Sequence, residues 1–472
     1  MFVAMENGMV PRAVSVLGMV AAMALGGCAA PDPWPALERD GGCLAAFATV
    51  DRAVAAAGVG DAQAARVAGF PYLRANRFLA SFDGATLDGE AFAAWVDRLR
   101  ALDAAAREAE VANLPAGFRV TLAELGRCAA TMRAADFAQP AGRAALARAV
   151  HAPDSYQDWK RALGLYPVTA LAVAIGFERW KDRNLDGFAA PPAATGSLLR
   201  YGPDGTTLAP DQVAAILKRA RANPLDIPDP NEADRVRLLA AFAPLWSVDT
   251  LTEADRIGAP RWRGGRVVVV GPSVVYTRFS HTRFDGEILL QISYMAWFPE
   301  RPRQGAVDLL SGALDAVIWR VTLGRDGRPL IYDTIHGCGC YHLFFPSARL
   351  TPRRQFAPDD ISERALVPAA APELAPGKRI VVSLAAASHY VRHVSVVGPG
   401  AGPGADNTVP YALAPADDLR SLPAGAGRRS IYGPDGLVAG SERLERFVLW
   451  PMGIASPGAM RQWGHHATAF VG

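Results

Sequence analysis

The stretch Asp333-Thr-Ile-His336-Gly-Cys338-Gly-Cys340-Tyr-His342 places four soft or borderline metal donors within seven residues, spaced His-x-Cys-x-Cys-x-His. Thiolate and imidazole together suit zinc or copper, and a C-x-C pair can put both sulfurs on one ion. In a straight strand the four donors would spread over roughly 20 Å, too wide for one metal. The spacing therefore predicts a bent loop, and Gly337 and Gly339 supply the freedom to curl it. Further ligands could come from His281, or from His389 and His393. Two other uses compete for the same sulfurs. Cys338 and Cys340 could form a disulfide, structural or redox-labile, or they could remain a reduced, packed pair. Oxidation would oppose metal binding, since only thiolates ligate.

Other residues offer weaker chemistry. His389-Tyr-Val-Arg-His393 has two imidazoles four apart, like the zinc-gripping H-E-x-x-H, but lacks the general-base Glu. Cys338 or Cys340, followed by His389 or His393 and then Asn407, would give a thiol hydrolase a nucleophile, a base and an orienting amide. Gln291 sits in an apolar run, where its amide could orient water or stabilise an oxyanion, or simply bond within a core. Asp333, together with His281 and Gln291, is a candidate for acid–base work. The neighbouring Asp285, Glu287, Glu300, Asp308 and Asp315 read as acids of solvated loops. His465 and His466 read as exposed or helix-end cations. No G-x-S-x-G, phosphate-binding loop or dinucleotide fingerprint stands in the right setting.

The chain has 472 residues, half of them hydrophobic, and a net charge of +3. That excludes wholesale disorder, gives no electrostatic case for nucleic acid, and leaves room for two or three domains. Apolar residues three and four apart predict helices over Cys43–Ala57, Asp88–Glu110 and Thr121–Phe137, making a helical domain over 42–150. A connector over 151–245 holds helical pieces near Pro167–Arg183, Pro210–Arg221 and Asn231–Ala240, between Pro/Gly-rich turns. Tyr-Gly-Pro-Asp-Gly occurs twice, at Tyr201–Gly205 and Tyr432–Gly436, and reads as turn chemistry. From 246 to 472 the pattern becomes extended. It predicts strands over Arg266–Val270, Val274–Phe279, Glu287–Phe298, Val317–Leu323, Leu330–Ile335, Arg379–Ala385 and Phe447–Trp450. A hairpin loop at Gly324–Gly327, a long loop over Val397–Pro410 and a short helix from Ser456 to Trp463 complete the pattern. The fold class is α+β: an N-terminal helical bundle, then a mainly antiparallel sheet with few helices.

The beginning of the chain reads as an address. Arg12 precedes a short apolar run ending in Leu25-Gly26-Gly27-Cys28, the layout of a secretory signal too short to span a bilayer comfortably. Over residues 1–28 it resembles the signal and lipobox of bacterial lipoprotein precursors. The resemblance implies removal of 1–27, acylation of Cys28, and a short tether over 28–41. It also implies anchoring to a Gram-negative envelope, and Ala29 after the Cys implies the outer membrane, facing the periplasm. Several acyl chains on one residue hold a protein firmly to lipid. With Cys28 acylated, four thiols remain in an oxidising compartment, and Cys43 and Cys128 lie in predicted helices that a disulfide could join. The expected protein is thus a lipid-anchored envelope protein whose C-terminal part binds a transition metal or carries a labile disulfide. The alternative is an envelope hydrolase, metal- or thiol-dependent, acting on peptidoglycan, a peptide or another surface polymer.

Overall fold

Helix-forming runs, two of them with side-chain N-caps, open the folded part of the chain. The computed structural model describes residues 41–153, 155–191, 193–351, 365–398 and 408–466. Cys28, the signal-like segment and Asn407 lie outside them. Helices α1 (Gly41–Ala57), α2 (Gly89–Ala112), α3 (Leu122–Asp136) and α4 (Pro140–Ala149) come first. Asp88 caps α2 by accepting from the Ala91 amide at 2.8 Å, and Thr121 caps α3 by accepting from Glu124. The stripe Trp95, Leu99, Ala106 buries one face of α2. Cys43 and Cys128 form a disulfide between α1 and α3. Residues Arg39–Gly472 make up one compact unit.

Helices α5 (Asp158–Leu163) and α6 (Tyr166–Asn184) follow, and then α7 (Pro210–Ala220) and α8 (Glu232–Phe242). The rest is built on a curled ten-stranded sheet. Its strands are β1 (Ser197–Pro203), β2 (Leu245–Thr250), β3 (Val274–Phe284), β4 (Glu287–Arg301) and β5 (Gly312–Leu323). They are joined by β6 (Pro329–His336), β7 (Leu343–Pro346), β8 (Arg379–Leu384), β9 (Val391–Val397) and β10 (Thr408–Pro415). In space the order is β7-β6-β5-β4-β3-β10-β1-β2-β8-β9. The fold is therefore α+β. The sheet is mixed, because β10 runs parallel to both β3 and β1, and β8 parallel to β2.

The alternation along β4 works because both faces are buried against different cores. Ile292, Tyr294 and Phe298 face one core with Val317 and Trp319 of β5, beneath Val213 and Ile216 of α7 and Leu238 of α8. Met295 and Trp297 face the other, with Ile318, Ile335, Leu419 and Met460. A side hairpin, Ala259–Arg263 with Arg266–Val270, closes that second face.

Several local expectations change. Phe447–Trp450 lies in a helical turn, Arg446–Leu449, running into a 3-10 turn at Trp450–Met452, not in a strand. Among the described residues no strand pairs with it, and Pro451 has no amide to give a ladder. Ser456–Trp463 is a series of turns: Ser456 and Gly458 both have positive φ, which a helix cannot accommodate. The connector supplies a central strand, β1, which its turn-rich composition concealed, and β2 starts at its last residue. Of the expected loop over Val397–Pro410, its ends are strand and 399–407 lie outside the described residues. Both Tyr-Gly-Pro-Asp-Gly copies end in a glycine with positive φ, Gly205 and Gly436, as turns require.

Candidate functional site

Three strands bring the site together. β4, β5 and β6 lie side by side, with Asp315 opposite Phe298 and His336 opposite Val317. Side chains alternate across a strand, so Asp315, Val317 and His336 share one face. Asp333, one step out of phase with His336, points to the other face with its cross-strand neighbour Arg320. After His336 the chain turns sharply: the Gly339 amide donates to the His336 carbonyl and the His336 amide to the Cys340 carbonyl, at 2.7 and 2.9 Å. Gly337 is obligatory here, because a Cβ would sit 2.8 Å from that of Ala316, and Gly339 has φ +86.

On the first face Asp315 stands between two imidazoles. His389 Nδ1 lies 2.8 Å from Asp315 Oδ2, and His336 Nδ1 lies 3.5 Å from Oδ1. The far side of His389 turns Nε2 toward Asp255 Oδ1 at 3.4 Å. Asp255 is fixed in turn by the amides of Ala387, Leu251 and Thr252. The Phe298 ring stacks on His389 at 3.9 Å, and Arg443 lies 3.9 Å from Asp315. All four members of this His336–Asp315–His389–Asp255 chain are buried.

Their charges follow from the contacts. Burial would raise Asp315, but the hydrogen bonds from His336 and His389 outweigh it and hold its carboxyl well below the usual range. Asp255 is likewise held down to about 2, its burial overcome by His389 and three amides. Burial would lower His389, but Asp255 and Asp315 together raise it. His336 has a weaker share of Asp315, so burial prevails and lowers it. The two carboxylates thus favour the cationic form of His389, and burial favours the neutral form of His336. An ionised Asp315 only accepts, so the proton of His336 sits on Nδ1 and a lone pair remains on Nε2. Among the described residues that buried Nε2 has no hydrogen-bond partner.

Backbone strain gathers at the same place. Of eight described non-glycine residues with positive φ, four are Leu314, Tyr341, Ala387 and His389, each in or beside this cluster. Tyr341 and Tyr390 pack edge to face at 4.5 Å, and both lie edge-on to His336. Arg301 donates to the Tyr390 hydroxyl at 3.0 Å. Trp180 of α6 lies over this tyrosine pair. Tyr341 and Cys340 of the turn that follows His336 are partly exposed.

The expected donor set divides across the sheet. His342 Nε2 turns to Asp333 at 3.0 Å, and Asp333 is held in a two-pronged pair by Arg320. Cys338 and Cys340 are free and pack on that second face with Ile335, Met460 and Trp463. The sheet therefore separates His336 from its three motif companions. Among the described residues no group of three or more His, Cys, Asp or Glu converges as metal ligands would. His389 and His393 also part: His393, in β9, bonds the Phe188 carbonyl through Nδ1, while His389 is in the preceding turn. His281 bonds the Pro228 carbonyl, and burial lowers it to about 4. Gln291 is a core amide, donating to Thr322 Oγ1 at 3.0 Å. His466 is buried, not an exposed cation. A cavity of about 10 Å³, room for roughly one water, lies on the second face between Tyr276, Arg278, Ser293, Tyr432 and Trp463.

Two decisive residues escaped the sequence reading, Asp315 and Asp255. Asp315 carried a usable signal: a lone acid within the apolar run Leu314–Val321 has to be paired if that run is buried. The chain matches no protein family, no curated protein and no solved structure.

Proposed function

We propose that this chain is a lipid-anchored protein of the Gram-negative envelope, acylated at Cys28, whose β-rich part is a hydrolase of general acid–base type. Its N-terminal helices, read as a bundle, follow the anchor in sequence and precede the catalytic part. The observation that carries the reading is the buried, unpartnered Nε2 of His336, backed by an ionised Asp315. An imidazole fixed in one tautomer by a carboxylate, with its other nitrogen free, is the layout of a general base. In the proposed step His336 Nε2 removes a proton from water. The hydroxide so formed attacks the carbonyl of an ester or amide in an envelope polymer or lipid, and the same proton passes to the leaving oxygen or nitrogen. His389 holds a positive charge beside Asp315 and keeps that carboxylate ionised throughout. The Tyr390 hydroxyl, whose oxygen accepts from Arg301, keeps its own proton and would be the donor for the developing oxyanion.

The test uses p-nitrophenyl acetate and purified peptidoglycan as probes. His336→Asn should lower turnover at least about a hundredfold without altering the fold. Full turnover in that variant, or none in the native protein, overturns the reading.

A second reading, a redox-labile Cys338–Cys340 pair, is favoured by one contact: Cys340 shares a hydrogen bond with Cys338. Mass mapping of protein from oxidised and reduced periplasm should then show the two thiols interconverting with a disulfide. A pair that stays reduced in both removes it.

A further inference from the structure

We propose that the α5–α6 hairpin, together with the turns at Arg446–Met452, is a docking surface for the lipid bilayer. Trp159 and Leu163 of α5, Leu165 at the corner, and Val168, Leu171 and Ile175 of α6 are each more than half exposed. The last three recur at i, i+3 and i+7, so they form one stripe along a single face of the helix. Leu165 has a positive φ of 47°, an uncommon conformation for a bulky residue, and it presents that side chain to solvent.

The C-terminal turns extend the same surface. Pro451 seats against Gly164, Arg161 donates to the Met452 carbonyl, and the Gln157 amide donates to the Gly453 carbonyl. Beside them Leu444, Phe447 and Val448 are also more than half exposed, and Trp450 is exposed as well. Apolar surface so concentrated is unusual on a protein that meets only water.

Three observations favour lipid as the occupant. From Asp158 to Arg183 the hairpin carries five Lys or Arg against three Asp or Glu, a net charge of +2. Such a basic margin suits anionic headgroups. It opposes a second copy of the chain, because a two-fold contact through this face would set like charges against each other. Trp159 and Trp450 supply the amphipathic rings found at membrane interfaces. Finally, twelve residues separate Cys28 from Gly41, a tether of at most roughly 40 Å. On the anchored reading of Cys28, the folded unit stays within that distance of the bilayer, so even a weak docking face would be largely occupied. No described helix is long and apolar enough to cross a membrane, so the mode is an interfacial one.

The experiment uses the chain from residue 28 onward carrying Cys28→Ser, which contains the whole compact unit but no acyl group. It should co-float with vesicles of phosphatidylethanolamine and phosphatidylglycerol, and more weakly when phosphatidylcholine replaces the anionic lipid. Leu171→Glu/Ile175→Glu should lower the bound fraction about tenfold with an unchanged thermal midpoint, as both positions are exposed. Absence of flotation, or equal flotation of the double variant, overturns the proposal. So does a dimer in sedimentation that the double variant dissolves without any vesicle binding. Palmitate labelling of the native chain separately tests the anchor: if labelling fails while the unacylated chain floats, the anchor is lost and the docking face stands.

Discussion

His389 donates from Nδ1 to Asp315 Oδ2 across 2.8 Å, with both residues buried. Removing one member of such a pair leaves a charge without compensation in a dry site. Asp315→Asn is expected to cost about 3–5 kcal/mol in urea unfolding. The pair also shapes the alkaline limb. His389 has a raised folded pKa, so its contribution is complete below its ordinary value near 6.5 and is lost as pH rises through the raised one. Unfolding free energy should therefore decline with rising pH above neutrality, and His389→Gln should remove that decline.

The acid limb has another owner. Burial pushes His466 down to about 3, and the cations Arg461 and Arg320 add to the effect. The unfolded chain takes up a proton near pH 6.5 that the folded chain refuses until near 3, so stability is lost as pH falls through that interval. His336 and His281 are lowered in the same sense. The thermal midpoint should drop between about pH 7 and about pH 4.5, and His466→Phe should recover about 4 °C of that drop. A variant with the native slope would show that His466 is solvated.

What could be read from the sequence followed local periodicity. The 3.6-residue stripe of Trp95 and Leu99 marked α2, and the two-residue alternation through Ile292, Tyr294 and Phe298 marked β4, because each pattern is set by one element facing one core. The importance of the His336–His342 turn was also legible, from composition and its two glycines. Its partnerships were not. Asp315 meets His389 across 74 residues of sequence, and only the β5–β6 register sets His336 beside the Asp315 side of the sheet and Asp333 beside Arg320. The exposed stripe of α6 was hidden for a related reason: an apolar helical period does not say whether protein or something else covers it.

The Cys43–Cys128 bridge closes a loop of 85 residues. By loop-closure entropy alone such a crosslink stabilises by about 4.6 kcal/mol, and native disulfides commonly lie within 2–5 kcal/mol. Cys43→Ala/Cys128→Ala should lower the unfolding free energy by an amount in that interval and leave His336-dependent turnover intact, since α1 and α3 contribute nothing to the imidazole chain. An undiminished midpoint would mean that the helices dock as firmly without the bond.

Cys340 is partly exposed, which by itself would make it the reactive thiol of the chain. Its environment opposes that. The hydrogen bond shared with Cys338 and burial of the sulfur both push the Cys340 thiol well above its ordinary value, and Glu445 adds negative charge nearby. Only the thiolate is a nucleophile, so alkylation by iodoacetamide at neutral pH should be slow, rising steeply into the alkaline range. Cys338→Ala removes the largest of these influences and should accelerate alkylation of Cys340 at neutral pH. A native chain that alkylates rapidly at neutral pH would instead place a stabilised thiolate at the turn, and would shift the weight from the His336 face of the sheet to the sulfur face.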